Sequence, residues 1–242
     1  MGPCVAIIPA RYQSSRFPGK PLALVAGRSM LEHVWSACRR SGAFERTLIA
    51  TDDDRIAQAA RGFGAEVVMT SSTCSSGTDR VAEVAAGLPG LEVVIAVQGD
   101  EPTLRPEVLA QLATAFDDRQ VQMATLIRPL QPHERANPNV VKVVRAQNGD
   151  ALYFSRADIP FGLQESPSLT RFAHIGIYGF RRRILEKLSS LPPSALEQAE
   201  SLEQLRALEH GIAIRCVLTP FATASVDVPE DIARAEALIR AR

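Results

Sequence analysis

The sequence predicts a doubly wound α/β fold on a mainly parallel sheet, with an antiparallel hairpin element inserted in its second half. Three observations carry this expectation. Short, continuous apolar runs, of the kind that form strands buried on both faces, recur at Val5-Ala6-Ile7-Ile8, Thr47-Leu48-Ile49-Ala50, Val67-Val68-Met69 and Val93-Val94-Ile95-Ala96-Val97. Helical segments lie between them, and the connections are too long for hairpins, which calls for right-handed crossovers between parallel strands. The pattern then changes, because Val140-Val141-Lys142-Val143-Val144 and Ala151-Leu152-Tyr153-Phe154 flank Gln147-Asn148-Gly149-Asp150, whose Asn-Gly pair suits a hairpin turn.

The first helix is expected from Ser29 to Ser41, opening on the capping pattern Ser29-Met30-Leu31-Glu32 and stopping at Gly42. A second runs from Asp54 to Arg61 and stops at Gly62; Thr51-Asp52-Asp53-Asp54 reads as its cap. Pro106 to Phe116 is a third, with Pro at the first helical position. Residues 157–173 read as loop and His174 to Phe180 as a strand. Leu196 to His210 reads as one amphipathic helix closed by Gly211, Ile212 to Leu218 as a last strand, and a final helix follows from Pro229. With no repeat, low-complexity tract or linker, residues 1–242 are expected to form one domain with an antiparallel excursion at about 139–180.

Of the 242 residues, 46% are hydrophobic, and 27 basic residues balance 27 acidic ones. That hydrophobic share excludes wholesale disorder, and no apolar run approaches the ~20 residues a membrane helix requires. Zero net charge argues against nucleic acid or a membrane surface as partner, so any polyanion has to be held by local charge. Cys4, Cys38, Cys74 and Cys216 form no CxxC pair and read as reduced thiols rather than a zinc site or disulfide framework. The first residues lack the basic stretch and apolar run of a secretory signal, and a cytoplasmic location is expected.

Two loops carry chemistry. Pro9-Ala10-Arg11-Tyr12-Gln13-Ser14-Ser15-Arg16-Phe17-Pro18-Gly19-Lys20-Pro21 follows the first strand with three cations, two hydroxyl-bearing serines and no carboxylate. In open α/β sheets, ligands bind at the carboxyl ends of strands, and backbone N–H groups backed by Arg and Lys there make an anion cradle. The spacing fits neither GxGxxG nor GxxxxGK[ST], which disfavours dinucleotide binding and P-loop hydrolysis. Gln98-Gly99-Asp100-Glu101-Pro102 follows another buried strand, and acids there suit Mg²⁺, which prefers carboxylate oxygens and commonly bridges to substrate phosphates. Together the loops favour a nucleotide with magnesium.

Over nearly its whole length the chain resembles the cytidylyltransferases that activate 3-deoxy-manno-octulosonate (Kdo), the CMP-Kdo synthetases. The resemblance rests on Ile8-Pro9-Ala10-Arg11-Tyr12 through Pro18-Gly19-Lys20-Pro21, on Ser76-Gly77-Thr78-Asp79-Arg80 and on Val97-Gln98-Gly99-Asp100-Glu101-Pro102. Tyr153-Phe154-Ser155-Arg156, His174-Ile175-Gly176-Ile177-Tyr178-Gly179, Leu202-Glu203-Gln204-Leu205-Arg206 and Val226-Asp227-Val228-Pro229-Glu230-Asp231 follow in the family's order. It implies a Rossmann-like fold of the nucleotide-diphospho-sugar transferase type. It also implies the reaction of CTP with Kdo to give CMP-Kdo and pyrophosphate, with Mg²⁺, in a cytoplasmic homodimer serving lipopolysaccharide assembly.

Family roles transfer residue by residue. Arg11, Ser15, Arg16 and Lys20, beside Ala10, would hold the triphosphate; Ser76, Gly77, Arg80 and Gln98 would face cytosine and ribose; Asp100 and Asp227 would ligate magnesium. Arg156, His174, Tyr178, Glu203 and Gln204 would line the sugar pocket. Arg11, Lys20, Asp100 and Asp227 are the catalytic set. On the residues alone Arg80 reads as an exposed helical arginine, Glu203 and Gln204 as a solvated helix face, and Gly176 and Gly179 as points of close backbone or ligand approach. Ser225 and Val228 flank Asp227 where the family usually has Gly and Thr. Alternatives are the same reaction on a related ulosonic acid such as an amino-substituted Kdo, a glycosyltransferase, and a catalytically silent nucleotide-binding subunit.

Overall fold

The computed structural model describes residues 2–14, 17–162 and 169–241. Strand β1 (Cys4–Pro9) leads into a basic loop, then a two-stranded ribbon, β2 (Leu24–Val25) and β3 (Arg28–Ser29). Helix α1 (Met30–Arg40), β4 (Arg46–Thr51), α2 (Asp54–Gly62), β5 (Glu66–Met69), α3 (Gly77–Ala86), β6 (Val93–Ala96) and α4 (Pro106–Thr114) complete the first half. The second half holds β7 (Met123–Pro129), β8 (Lys142–Arg145), β9 (Ala151–Ser155), β10 (Phe172–Arg181), α5 (Arg182–Ser190), α6 (Ala195–Glu200), α7 (Gln204–Glu209), β11 (Ile214–Leu218) and α8 (Asp231–Arg240).

Among the described residues the strands other than β2 and β3 form one nine-stranded sheet, in the order β11-β7-β10-β6-β1-β4-β5, with β8 on β10 and β9 on β8. β6, β1, β4 and β5 run parallel, as do β7 and β11, whereas β10 runs antiparallel to β6, β7 and β8. The strand period of two assigns successive residues to opposite faces. Ile7 and Val94 thus join one core with Phe154, Phe180 and Leu185, while Ile8 and Ile95 join the other with Leu31, Leu109 and Phe116. The Asn148-Gly149 turn joins β8 to β9 as expected, with Gly149 at φ 89°.

Several expectations are corrected. The helix read over Leu196 to His210 is two helices, because Ser201 turns left-handed at φ 52°. The break is held from outside: Arg156 donates through Nε to the Glu200 carbonyl at 2.7 Å and through Nη2 to the Ser201 carbonyl at 3.2 Å. β5 lies at the sheet edge rather than buried on both faces, and Met69 is exposed. The final helix begins at Asp231, two residues beyond Pro229. Ser29 caps α1 by accepting from the Glu32 amide, and a full reciprocal box stands at α3, between Ser76 and Asp79.

The two glycines of β10 separate into different roles. Gly176 lies at the register shift between Ile175 and Tyr178, and a Cβ there would meet nothing within 4 Å. At Gly179 a Cβ would lie 2.7 Å from Ile95 Cδ1 and 2.8 Å from Phe116 Cζ, so its close approach is to core side chains, not to a ligand. Gly179→Ala is therefore expected to destabilise the fold by about 1–3 kcal/mol through overpacking. Gly176→Ala should stay nearly neutral, a contrast read from urea midpoints of the two variants.

Candidate active site

The site forms where the parallel strands end. The loop after β1 folds back on itself: the Gly19 amide donates to the Tyr12 carbonyl at 2.9 Å, and Gly19 sits at φ 73°, a conformation that costs glycine nothing. This return places Lys20 over the loop that follows β6, where its ammonium lies 2.7 Å from Asp100 Oδ2 and 3.4 Å from Asp227 Oδ1. Asp227 arrives from far along the chain because the Val226 amide donates to the Asp100 carbonyl at 2.9 Å, tying the two acidic loops together.

A cavity of about 400 Å³ opens beside this cluster, lined in part by Ala10, Arg11, Lys20, Ser76, Gly77 and Arg80. Gln98, Asp100 and Asp227 share it. The sequence-derived nucleotide residues are thus brought together, apart from Ser15 and Arg16, which lie outside the described residues. Arg80 departs from the exposed reading: its side chain is 5% exposed, with Nη2 3.1 Å from Asp52 Oδ2 and Nη1 bonded to the Thr70 hydroxyl. Cys74 also lines the cavity, yet burial and the Glu83 carboxylate beside it push its thiol up to about 11, so it stays protonated.

A second cavity, about 320 Å³, is lined by His174, Tyr178 and Gln204 together with Glu101, Arg128, Glu134, Thr223 and Ser225. Gln204 is buried rather than on a solvated face. Arg156 and Glu203 stand outside this lining. Arg156 braces the α6–α7 break, and Glu203 accepts from the Thr78 hydroxyl at 2.5 Å, joining that break to the start of α3. The two cavities are neighbours by sequence: Asp100 lines the first and Glu101 the second, and Ser225 and Asp227 divide in the same way.

The second cavity is polar but carries little free charge. Burial drives the His174 imidazole down to about 3, leaving it neutral, and raises the Tyr178 phenol. The Thr125 hydroxyl lies 2.8 Å from the Ile177 carbonyl and 2.9 Å from His174 Nε2. The hydroxyl has one proton for these acceptors; where it goes to a carbonyl, Nε2 donates to the hydroxyl and Nδ1 keeps the lone pair. Arg128 and Glu134 form a bidentate pair at 2.7 and 2.6 Å. Glu101 and Gln204 line this cavity, and among the described residues the buried Glu101 Oε2 and Gln204 Nε2 have no hydrogen-bond partner.

Glu101 stands in the acidic loop with no role that the sequence assigns to it, and Arg128 lies near the end of β7, just before Pro129. Desolvation, reinforced by the Asp100 carboxylate, raises the Glu101 carboxyl from 4.5 to about 8. In this range the unfolded chain ionises Glu101 while the folded one keeps it protonated. The Glu101 contribution to stability of the metal-free protein should therefore fall as pH rises from 4.5 to about 8, while the buried neutral His174 opposes it up to its ordinary value of 6.5, so the net fall should show between about 6.5 and 8. Glu101→Gln should remove that component, as thermal midpoints of both proteins across this range will show.

The sequence pattern of the cytidylyltransferase family matches residues 5–214. A 3-deoxy-manno-octulosonate cytidylyltransferase of Myxococcus xanthus is 55% identical over 238 residues, which cover 98% of this chain and 97% of that one. The corresponding protein of Nitratidesulfovibrio vulgaris is 54% identical over 234 residues, 95% of this chain and 93% of its own. Among solved structures, CMP:2-keto-3-deoxy-manno-octonic acid synthetase complexed with CTP superposes with a TM-score of 0.93 at 41% identity, covering 99% of both chains. The fold and site define a nucleotidyltransferase. The chain belongs to the cytidylyltransferase family.

Proposed function

We propose that this protein transfers a cytidylyl group from CTP to Kdo, releasing pyrophosphate and supplying CMP-Kdo for lipopolysaccharide assembly. The observation that carries the reading is the paired acid cluster beside two neighbouring cavities, one basic-walled and one polar. A triphosphate suits the first, with Arg11 and Lys20 offsetting its charge. Uncharged hydrogen-bonding groups such as His174, Tyr178 and Gln204 suit a polyhydroxylated acid in the second.

Two carboxylates that converge on one ammonium provide hard oxygen donors for Mg²⁺, and Asp100 and Asp227 would hold it. Among the described residues no cluster of three or more His, Cys, Asp or Glu is arranged to hold a metal. Two protein carboxylates with substrate oxygens completing the shell is a common Mg²⁺ arrangement. When bound, the ion would add positive charge where the triphosphate is most negative. The residues themselves position the partners: the basic loop fixes the phosphates, the second cavity orients the sugar, and the anomeric hydroxyl displaces pyrophosphate from the α-phosphorus in line.

We read the chain as one catalytic unit working in the cytoplasm as a homodimer. No described helix is long and apolar enough to cross a membrane, and exposed Leu152 and Phe161 on the antiparallel excursion offer apolar surface for a second copy. Pyrophosphate release tests the substrates: it should require CTP and Kdo together and fall sharply with ATP. Equal release with ATP removes the base assignment. No release with Kdo but release with an amino-substituted analogue moves the reading to that sugar.

A further inference from the structure

The three consecutive acids after β4 do three different things. Asp53 caps α2, its carboxylate accepting from the Arg55 and Ile56 amides at 2.9 and 3.4 Å. Asp54 lies exposed in the first turn. Asp52 instead reaches Arg80 on α3, its Oδ2 3.1 Å from Nη2.

Arg80 is clamped from two adjoining strand ends. Asp52 follows β4 and Thr70 follows β5, and the Thr70 amide donates to the Thr51 carbonyl at 2.9 Å, extending the β4–β5 ladder beyond its last paired residues. The Thr70 hydroxyl takes the second Nη group of the same guanidinium. The strand framework therefore fixes two points of a planar fork whose side chain is 5% exposed and which lines the first cavity beside Ser76, Gly77 and Gln98. Fixing a planar fork at two points sets both its position and the direction of its remaining N–H groups.

We propose that Asp52 is a positioning residue for the nucleotide, acting through Arg80 rather than by touching the ligand. The inference rests on the assignment of the first cavity to CTP. A cation this buried needs a paired anion to stay in place, and Asp52 supplies one from outside the cavity lining. Removing the anion frees Arg80 to reorient, and small misplacements of a binding group carry large penalties, up to roughly a hundredfold.

The test is steady-state kinetics on Asp52→Asn, Asp52→Glu, Thr70→Val and Arg80→Lys, each checked for a native circular dichroism spectrum. Asp52→Asn should raise KM for CTP by about tenfold or more, with kcat nearly retained and KM for the acidic sugar unchanged. Asp52→Glu, which keeps the charge, should recover part of the loss. Thr70→Val should shift KM for CTP in the same direction by less, which keeps the test open if Asp52→Asn does not fold. Combining Asp52→Asn with Arg80→Lys should add little to Arg80→Lys alone, because both act on one group. If the wild-type protein turns over CTP and folded Asp52→Asn has an unchanged KM for it, the inference fails while the functional reading stands. If wild type does not use CTP, the functional reading fails first.

Discussion

Lys20→Met is expected to lower turnover by roughly 10²–10³-fold, the cost of removing one preorganised charge from a site of charge transfer. The loop should keep its shape, since Gly19 and the Gly19–Tyr12 backbone bond set the return and the methylene stem is retained. A second consequence separates chemistry from folding. Lys20 bridges Asp100 and Asp227, so its loss leaves two carboxylates facing each other without the cation between them. Nucleotide-free Lys20→Met should then bind Mg²⁺ more tightly than wild type, as measured by calorimetric titration. Near-normal turnover together with unchanged metal affinity would return this loop to a solvated basic turn.

Asp100→Asn and Asp227→Asn should each abolish most Mg²⁺-dependent turnover, and the double variant should fall little further. Each substitution keeps the side-chain shape and removes one of the two charges that a hard cation requires. Non-additivity follows because the acids act as one unit on one ion, as their shared contact with Lys20 indicates. Folding should survive, because the Val226–Asp100 bond that joins the loops is made by backbone atoms. Two independent, multiplicative losses would show that the acids serve separate ions or separate steps.

What the sequence discloses follows from what leaves a local trace. Strands buried on both faces are continuous apolar runs, so β1, β4 and β6 are visible, and the Asn148-Gly149 turn marks the β8–β9 hairpin. The basic and acidic loops are visible because charge at a strand end has no packing purpose. β7 and α5 are missed although both leave a trace: Met123-Ala124-Thr125-Leu126-Ile127 is an apolar run stopped by Pro129, and Pro192-Pro193 follows soon after the end of Arg182 to Ser190. The α6–α7 break depends on Arg156, far away in sequence, gripping the Glu200 and Ser201 carbonyls. The buried environments of Arg80, Gln204 and Glu101 are tertiary in the same sense: each looks like a surface residue in the sequence, yet Asp52 meets Arg80, Thr223 meets Glu101, and Gln204 is buried where α7 begins.

The central claim, direct attack of the sugar on the α-phosphorus of CTP, is tested most directly by following a label. With CTP labelled at the α-phosphorus, Mg²⁺ and Kdo, all of the consumed label should appear in CMP-Kdo and none on the protein, while label placed at the γ-phosphorus should leave as pyrophosphate. Label from the α-phosphorus found on the protein, or released as free CMP without a sugar conjugate, would contradict the account.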